Sequence, residues 1–175
     1  MKKQLPIYLY GAISILVGIF LLFSADRSFN NIKLTLGISL TIGALFSFIS
    51  AWSSRKSNVE FAYHEMHALA MIVYGAYILF FCKSLEMLTS LTAFLFFFYA
   101  FSEIIFCNRV FELASRVINK IVIVRLLLAL AIGVGTMLAM NASEITLEGF
   151  GILFVLVGIN IILYAPVMKS IKYSK

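Results

Sequence analysis

Six apolar runs dominate this chain, at about residues 7–24, 31–52, 65–82, 87–107, 119–140 and 147–167. Each is close to the ~20 residues a helix needs to cross the hydrocarbon of a bilayer. A segment immersed in lipid finds no water for its N–H and C=O groups, so the runs must be helices. Composition agrees, with 62% hydrophobic and 13% charged residues, against about 25% charged in soluble domains. The chain is therefore expected to form one all-α transmembrane domain, residues 1–175, with six spans. The start, Met1-Lys2-Lys3-Gln4 and an apolar run to Phe23, imitates a secretory signal. Phe23-Ser24-Ala25 lacks the small residue three places before a cut, so the first run is expected to persist as a helix.

The net charge of +6 describes topology better than a nucleic-acid surface, because the basic residues stand singly or in pairs between apolar runs. Lys2, Lys3, Arg55, Lys56, Arg109, Arg116, Lys120, Lys169, Lys172 and Lys175 fall on one side of the six spans. Arg27, Lys33 and Lys83 fall on the other, and Arg125 lies within a span. Positively charged short loops stay cytoplasmic, which places both termini inside. The lipid bilayer is then the expected partner, nucleic acid is not, and a homo-oligomer or a membrane-protein partner stays open. Between Asn108 and Asn119, apolar residues alternate with Arg109, Glu112 and Arg116 at helical spacing. This predicts an interfacial helical turn with Glu112 and Arg116 paired at i,i+4.

Small residues recur every seven positions. The first helix carries Gly11, Gly18 and Ala25, the second Gly37, Ala44 and Ala51, the third Ala68, Gly75 and Cys82. The fourth carries Ala93, Ala100 and Cys107, and the sixth Gly151, Gly158 and Ala165, while the fifth keeps only Gly133 between Leu126 and Met140. Offsets of 56 to 58 residues relate these sets, which predicts three tandem helical hairpins at about 5–54, 62–108 and 118–168. A seven-residue step keeps one stripe on one face, and small side chains let helices approach where lipid supplies no hydrophobic drive. The glycines and alanines are accordingly helix-packing candidates. Cys82 and Cys107 form no CxxC motif and are expected to be small packing residues.

Three tandem hairpins with the patterns Gly11-Ala-Ile-Ser-Ile-Leu-Val-Gly18-Ile, Leu36-Gly37-Ile38-Ser39-Leu40-Thr41-Ile42-Gly43-Ala44 and Gly151-Ile-Leu-Phe-Val-Leu-Val-Gly158-Ile resemble the HdeD family of bacterial acid-resistance membrane proteins. The resemblance spans essentially the whole chain. It implies a six-span inner-membrane protein associated in some members with acid stress, with no catalytic residues to carry over. The second hairpin departs from the pattern, with Ala93 and Ala100 in place of glycine and a run of aromatic residues at Phe94–Phe98.

Ionisable groups inside a span are costly and are functional candidates by default. Glu103 in the fourth helix, Arg125 in the fifth and His67 in the third fall in the cytoplasmic half, with Asn160 and Tyr99 slightly deeper. The functional possibility is a proton-exchanging polar cluster; the plainer one is a structural ion pair. His67 shares its repeat column with Tyr10 and Arg125, which predicts a ring of interface anchors at the cytoplasmic ends of the odd helices. The stretch Ala62-Tyr63-His64-Glu65-Met66-His67-Ala68 misses the zincin motif H-E-x-x-H by one residue, so no metal is expected. No cofactor site, phosphate-cradling loop or nucleophile constellation is present in the pattern, and the chain is expected not to be an enzyme.

Three functions compete on these grounds. One is a non-enzymatic HdeD-like contribution to acid or general stress tolerance. Another is a proton-linked channel or small-solute transporter, against which stands the expected position of Pro6 and Pro166 at helix ends rather than within broken helices. The third is a scaffold binding a protein through the Asn108–Asn119 loop.

Overall fold

The computed structural model describes residues 5–24, 27–54, 60–111, 116–141 and 147–171, with side chains described for 5–24, 27–49, 67–111, 119–141 and 147–167. The described residues form α1 (Leu5–Leu22), α2 (Phe29–Ser54), α3 (Glu60–Phe81), α4 (Leu85–Phe111), α5 (Arg116–Asn141) and α6 (Leu147–Ile171), and no strand. Five of them are long and apolar enough to cross a membrane. The sixth, α3, has 22 residues, about 33 Å of helix, with an apolar stretch at His67–Phe81. This is a multi-pass, all-α membrane protein.

Local chemistry sets the helix ends. Ser84 caps α4: its Oγ accepts the Met87 N–H at 3.2 Å and its carbonyl accepts the Leu88 N–H at 3.1 Å, satisfying donors that have no intrahelical partner. Glu86 in the same first turn complements the helix dipole. Pro6 sits in the first turn of α1, where its missing N–H is no loss. Intramembrane hydroxyls are met by the carbonyl one turn earlier, as in Thr41 to Gly37 at 2.7 Å and Thr136 to Ile132 at 2.7 Å. This is the local way to satisfy a hydroxyl without water.

One expectation needs correcting, and a second falls partly outside the described residues. Pro166 lies inside α6, which continues to Ile171. Proline cannot donate to the carbonyl four residues back, yet an apolar surrounding offers the backbone no better partner than the next turn, so the helix carries on. The interfacial turn is not a separate element on its flanks: Asn108–Phe111 continues α4, and Arg116 opens α5. Residues 112–115, and with them the expected Glu112–Arg116 pair, lie outside the described residues, as do the side chains of His64 and Glu65.

The helices pack in chain order around a closed ring, α6 returning to α1, with α4 also touching α6. The most extensive seams are α1 with α6, α2 with α3, and α4 with α5. Each joins one expected hairpin to the next. By contrast α3 and α4, although linked only by Cys82–Ser84, touch little. Leu16, Phe80, Phe94 and Leu138 stand exposed around the outside, the apolar surface that lipid tails solvate.

Candidate functional site: a buried polar belt

The small-residue positions lie in the seams. In α1·α6, Gly11 opposes Gly158 and Gly18 opposes Gly151, each closer than a side chain allows. In α2·α3, a Cβ on Gly37 would come within 3.3 Å of the Gly75 carbonyl oxygen, and one on Gly75 would strike Thr41 Oγ1. Ala44 and Ala68, one seven-residue step along this seam, are fully buried. In α4·α5, Gly133 meets Ala100 at an ordinary 3.5 Å, and Ala93 is buried. This third seam is looser: Gly133 faces the Ala100 methyl group, whereas Gly18 and Gly75 face the glycines Gly151 and Gly37.

Tight seams aim the remaining faces inward, and polar side chains meet there. Arg125 Nη2 forms an ion pair with Glu103 Oε1, and Arg125 Nε donates to Asn160 Oδ1 at 3.1 Å. The guanidinium also faces aromatic rings, its carbon 4.7 Å from the Tyr164 centroid and 5.2 Å from that of Phe106. Cys107 Sγ donates to Glu103 Oε1 at 3.6 Å. Glu103 and Arg125 are each 1% exposed, so the pair is closed to both lipid and water. Desolvating two charges is expensive, and only a geometry with further hydrogen bonds offsets it; here the amide and the thiol supply them, and the ring faces add cation–π attraction.

The belt continues along α4. Tyr99, one turn from Glu103, lies 4.9 Å from His67, ring centre to ring centre. His67 Nε2 is 3.3 Å from the Tyr10 hydroxyl. Tyr10 in turn packs against Gly43 of α2, where a Cβ would fall 2.6 Å from the ring carbon Cδ2. All six helices therefore contribute at one level. Tyr10, His67 and Arg125 are at most 5% exposed, which overturns the anchor reading. Their shared column points to the bundle interior, because the small residue that follows each of Tyr10 and His67 turns that face into a seam. The belt keeps polar capacity in hand: His67 Nδ1, Arg125 Nη1 and Asn160 Nδ2 are buried without a protein partner, the kind of setting in which buried water is held.

Glu103 lies two turns from the end of α4 at Phe111, deeper than its distance from the end of the apolar run implies. Phe106, Tyr164 and Gly43 were not legible as part of this belt. Phe106 follows Glu103 by three positions and Tyr164 follows Asn160 by four, so one-turn spacing from each polar candidate is the signal that finds them.

A model of a family described as a short repeat of unknown function (DUF308) matches residues 9–80. This chain is similar to that repeat family. The match runs through α1, α2 and nearly all of α3, less than half of the chain, and leaves the Glu103–Arg125 pair outside it. No curated protein and no solved structure is matched.

Among the described residues no group of three or more histidines, cysteines or acids is placed to hold a metal ion. The two cysteines are buried and free.

Proposed function

We propose that this chain is a non-enzymatic, HdeD-like protein of the bacterial cytoplasmic membrane. It is built from three tandem hairpins with both termini cytoplasmic, and it contributes to acid or general stress tolerance. In this reading the belt is a lock that holds the ring closed. The observation that carries it is the enclosure of the Glu103–Arg125 pair by Asn160, Phe106 and Tyr164. A carboxylate and a guanidinium paired and walled off in this way tie α4, α5 and α6 together in the interior of the ring. The short-repeat match supports the repeat architecture. The test is Glu103→Gln, with detergent melting temperature and acid survival measured at matched protein levels. A lower melting temperature with unchanged survival supports the lock; lost survival in a protein of unchanged stability sinks it.

A second reading, proton-linked transport, is favoured by one observation. Titratable Glu103 and His67 share a belt with buried polar atoms that have no protein partner. Liposomes containing a pH dye decide it. Proton flux above protein-free controls that disappears in Glu103→Gln supports transport, and absence of flux between outside pH 3 and 7 removes it.

A further inference from the structure

The sparse contact between α3 and α4 leaves a cleft of about 430 Å³ on the outside of the ring, within the ~300–1,000 Å³ typical of ligand pockets. Tyr74 and Leu95 form its floor, at 8% and 6% exposure. Val73, Tyr77, Phe94 and Phe98 form its rims. The floor offers no polar group, because the Tyr74 hydroxyl is already bonded to Thr92 Oγ1 at 2.5 Å and Thr92 to the Leu88 carbonyl at 2.6 Å. A guest here must be apolar.

The other hairpins show why the cleft is open. Shifting Ala70, Val73, Tyr74 and Tyr77 back by 57 and Leu91 and Leu95 back by 56 lands on Ile13, Leu16, Val17, Phe20, Thr35 and Ser39, which line a smaller cavity of about 180 Å³ between α1 and α2. Shifting Tyr77 and Leu95 forward by 58 lands on Gly135 and Leu153. There the Leu153 side chain fills the place of a Gly135 Cβ, at 2.8 Å. The third hairpin is closed by this contact where the second stands open.

Depth and charge identify the occupant. Tyr77 is four residues before the end of α3 and Leu91 six after the start of α4, so the cleft begins about 6–9 Å below the Cys82–Ser84 turn. The headgroup layer of a bilayer is about 5–8 Å deep on each side. The cleft therefore lies among acyl chains while the turn lies among phosphates. Two ammonium groups belong to that turn: Lys83 is exposed, and Lys33 Nζ donates to the Cys82 carbonyl at 2.9 Å. Glu86, on the first turn of α4, is the acid at this end of the pair.

We propose that the α3/α4 cleft is a binding site for one glycerophospholipid of the surrounding bilayer. One acyl chain lies between Val73 and Phe94, and the phosphate rests at Lys33 and Lys83. The proposal rests on the membrane reading and is independent of what the buried belt does.

Native mass spectrometry of the full chain, stripped with detergent and titrated with phosphatidylglycerol, tests it. The intact protein should take up one lipid. Ala70→Phe with Leu91→Phe, which fills the cleft, should weaken uptake at least tenfold. Diacylglycerol, which lacks the phosphate, should bind at least tenfold more weakly than phosphatidylglycerol, and Lys83→Ala should narrow that gap. Undiminished uptake in the filled variant overturns the site, and so does a dimer of the intact protein that the same substitutions dissolve, because the occupant is then a second copy. If the filled variant does not fold, Tyr77→Trp in a Trp52→Phe background serves instead. One equivalent of acyl-brominated phospholipid should quench it more than Phe80→Trp on the outer surface; equal quenching overturns the site.

Discussion

Gly18 and Gly151 meet backbone to backbone: a Cβ on Gly18 would lie 2.6 Å from the Gly151 carbonyl oxygen, and one on Gly151 would lie 2.8 Å from that of Gly18. A carbonyl held in a helix cannot swing aside as a side-chain tip can. Gly18→Ala should therefore push α1 and α6 apart and lower stability by about 1–3 kcal/mol. Gly133→Ala, whose Cβ meets Ala100 at 3.5 Å, should change stability by less than about 1 kcal/mol and in the favourable direction. Paired thermal melts in one detergent check the contrast; equal losses would refute the seam geometry.

The ion pair predicts strong non-additivity. Arg125→Met strands the Glu103 carboxylate in an apolar enclosure and should cost about 3–5 kcal/mol. Adding Glu103→Gln should recover most of that loss, so the double-mutant cycle should give a coupling well above about 0.5 kcal/mol. Unfolding of all three variants and the parent measures it.

Gly43 makes room for the Tyr10 ring. Gly43→Ala should cost about 1–3 kcal/mol because Tyr10 is fully buried and has nowhere to move. Trimming the ring with Tyr10→Leu in the same chain should restore part of the loss. Tyr10→Phe, which keeps the ring and removes only the hydroxyl, should restore none. Melting temperatures of the three variants and the parent decide it.

Orientation is open to labelling. With Cys82 and Cys107 replaced by alanine, Lys83→Cys should react with an impermeant maleimide added to intact cells. Lys169→Cys should react only after the membrane is opened. The opposite pattern reverses the topology.

Much of the architecture is written in segment length and apolarity, because the bilayer leaves a helix as the only open-ended way to satisfy a backbone. Facing is much less legible. These helices are apolar on every side, so periodicity does not separate lipid-facing Phe94 from buried Phe96. The column holding Tyr10, His67 and Arg125 was readable as a column, but its direction was not: a long amphipathic side chain near a helix end suits an interface as well as a core. The ion pair was legible as two candidates at similar depth, whereas the rings around it depend on how α4, α5 and α6 rotate against one another. The α3/α4 cleft was hidden because it arises from a missing contact, and Tyr77 on its rim looks in sequence like any other outward aromatic.

The closest seam of the ring joins its first helix to its last, with Ser14 Oγ reaching the Phe154 carbonyl at 3.4 Å across 140 residues of chain. At synthesis rates of about 5–20 residues per second, that separation is roughly 7–28 s of translation. Throughout that interval α1 sits in the bilayer with its glycine face bare. On a crowded message the α6 of the preceding ribosome's product arrives sooner than its own. The order of the helices thus makes biogenesis, rather than the finished ring, the moment at which two copies of this protein are most prone to become entangled.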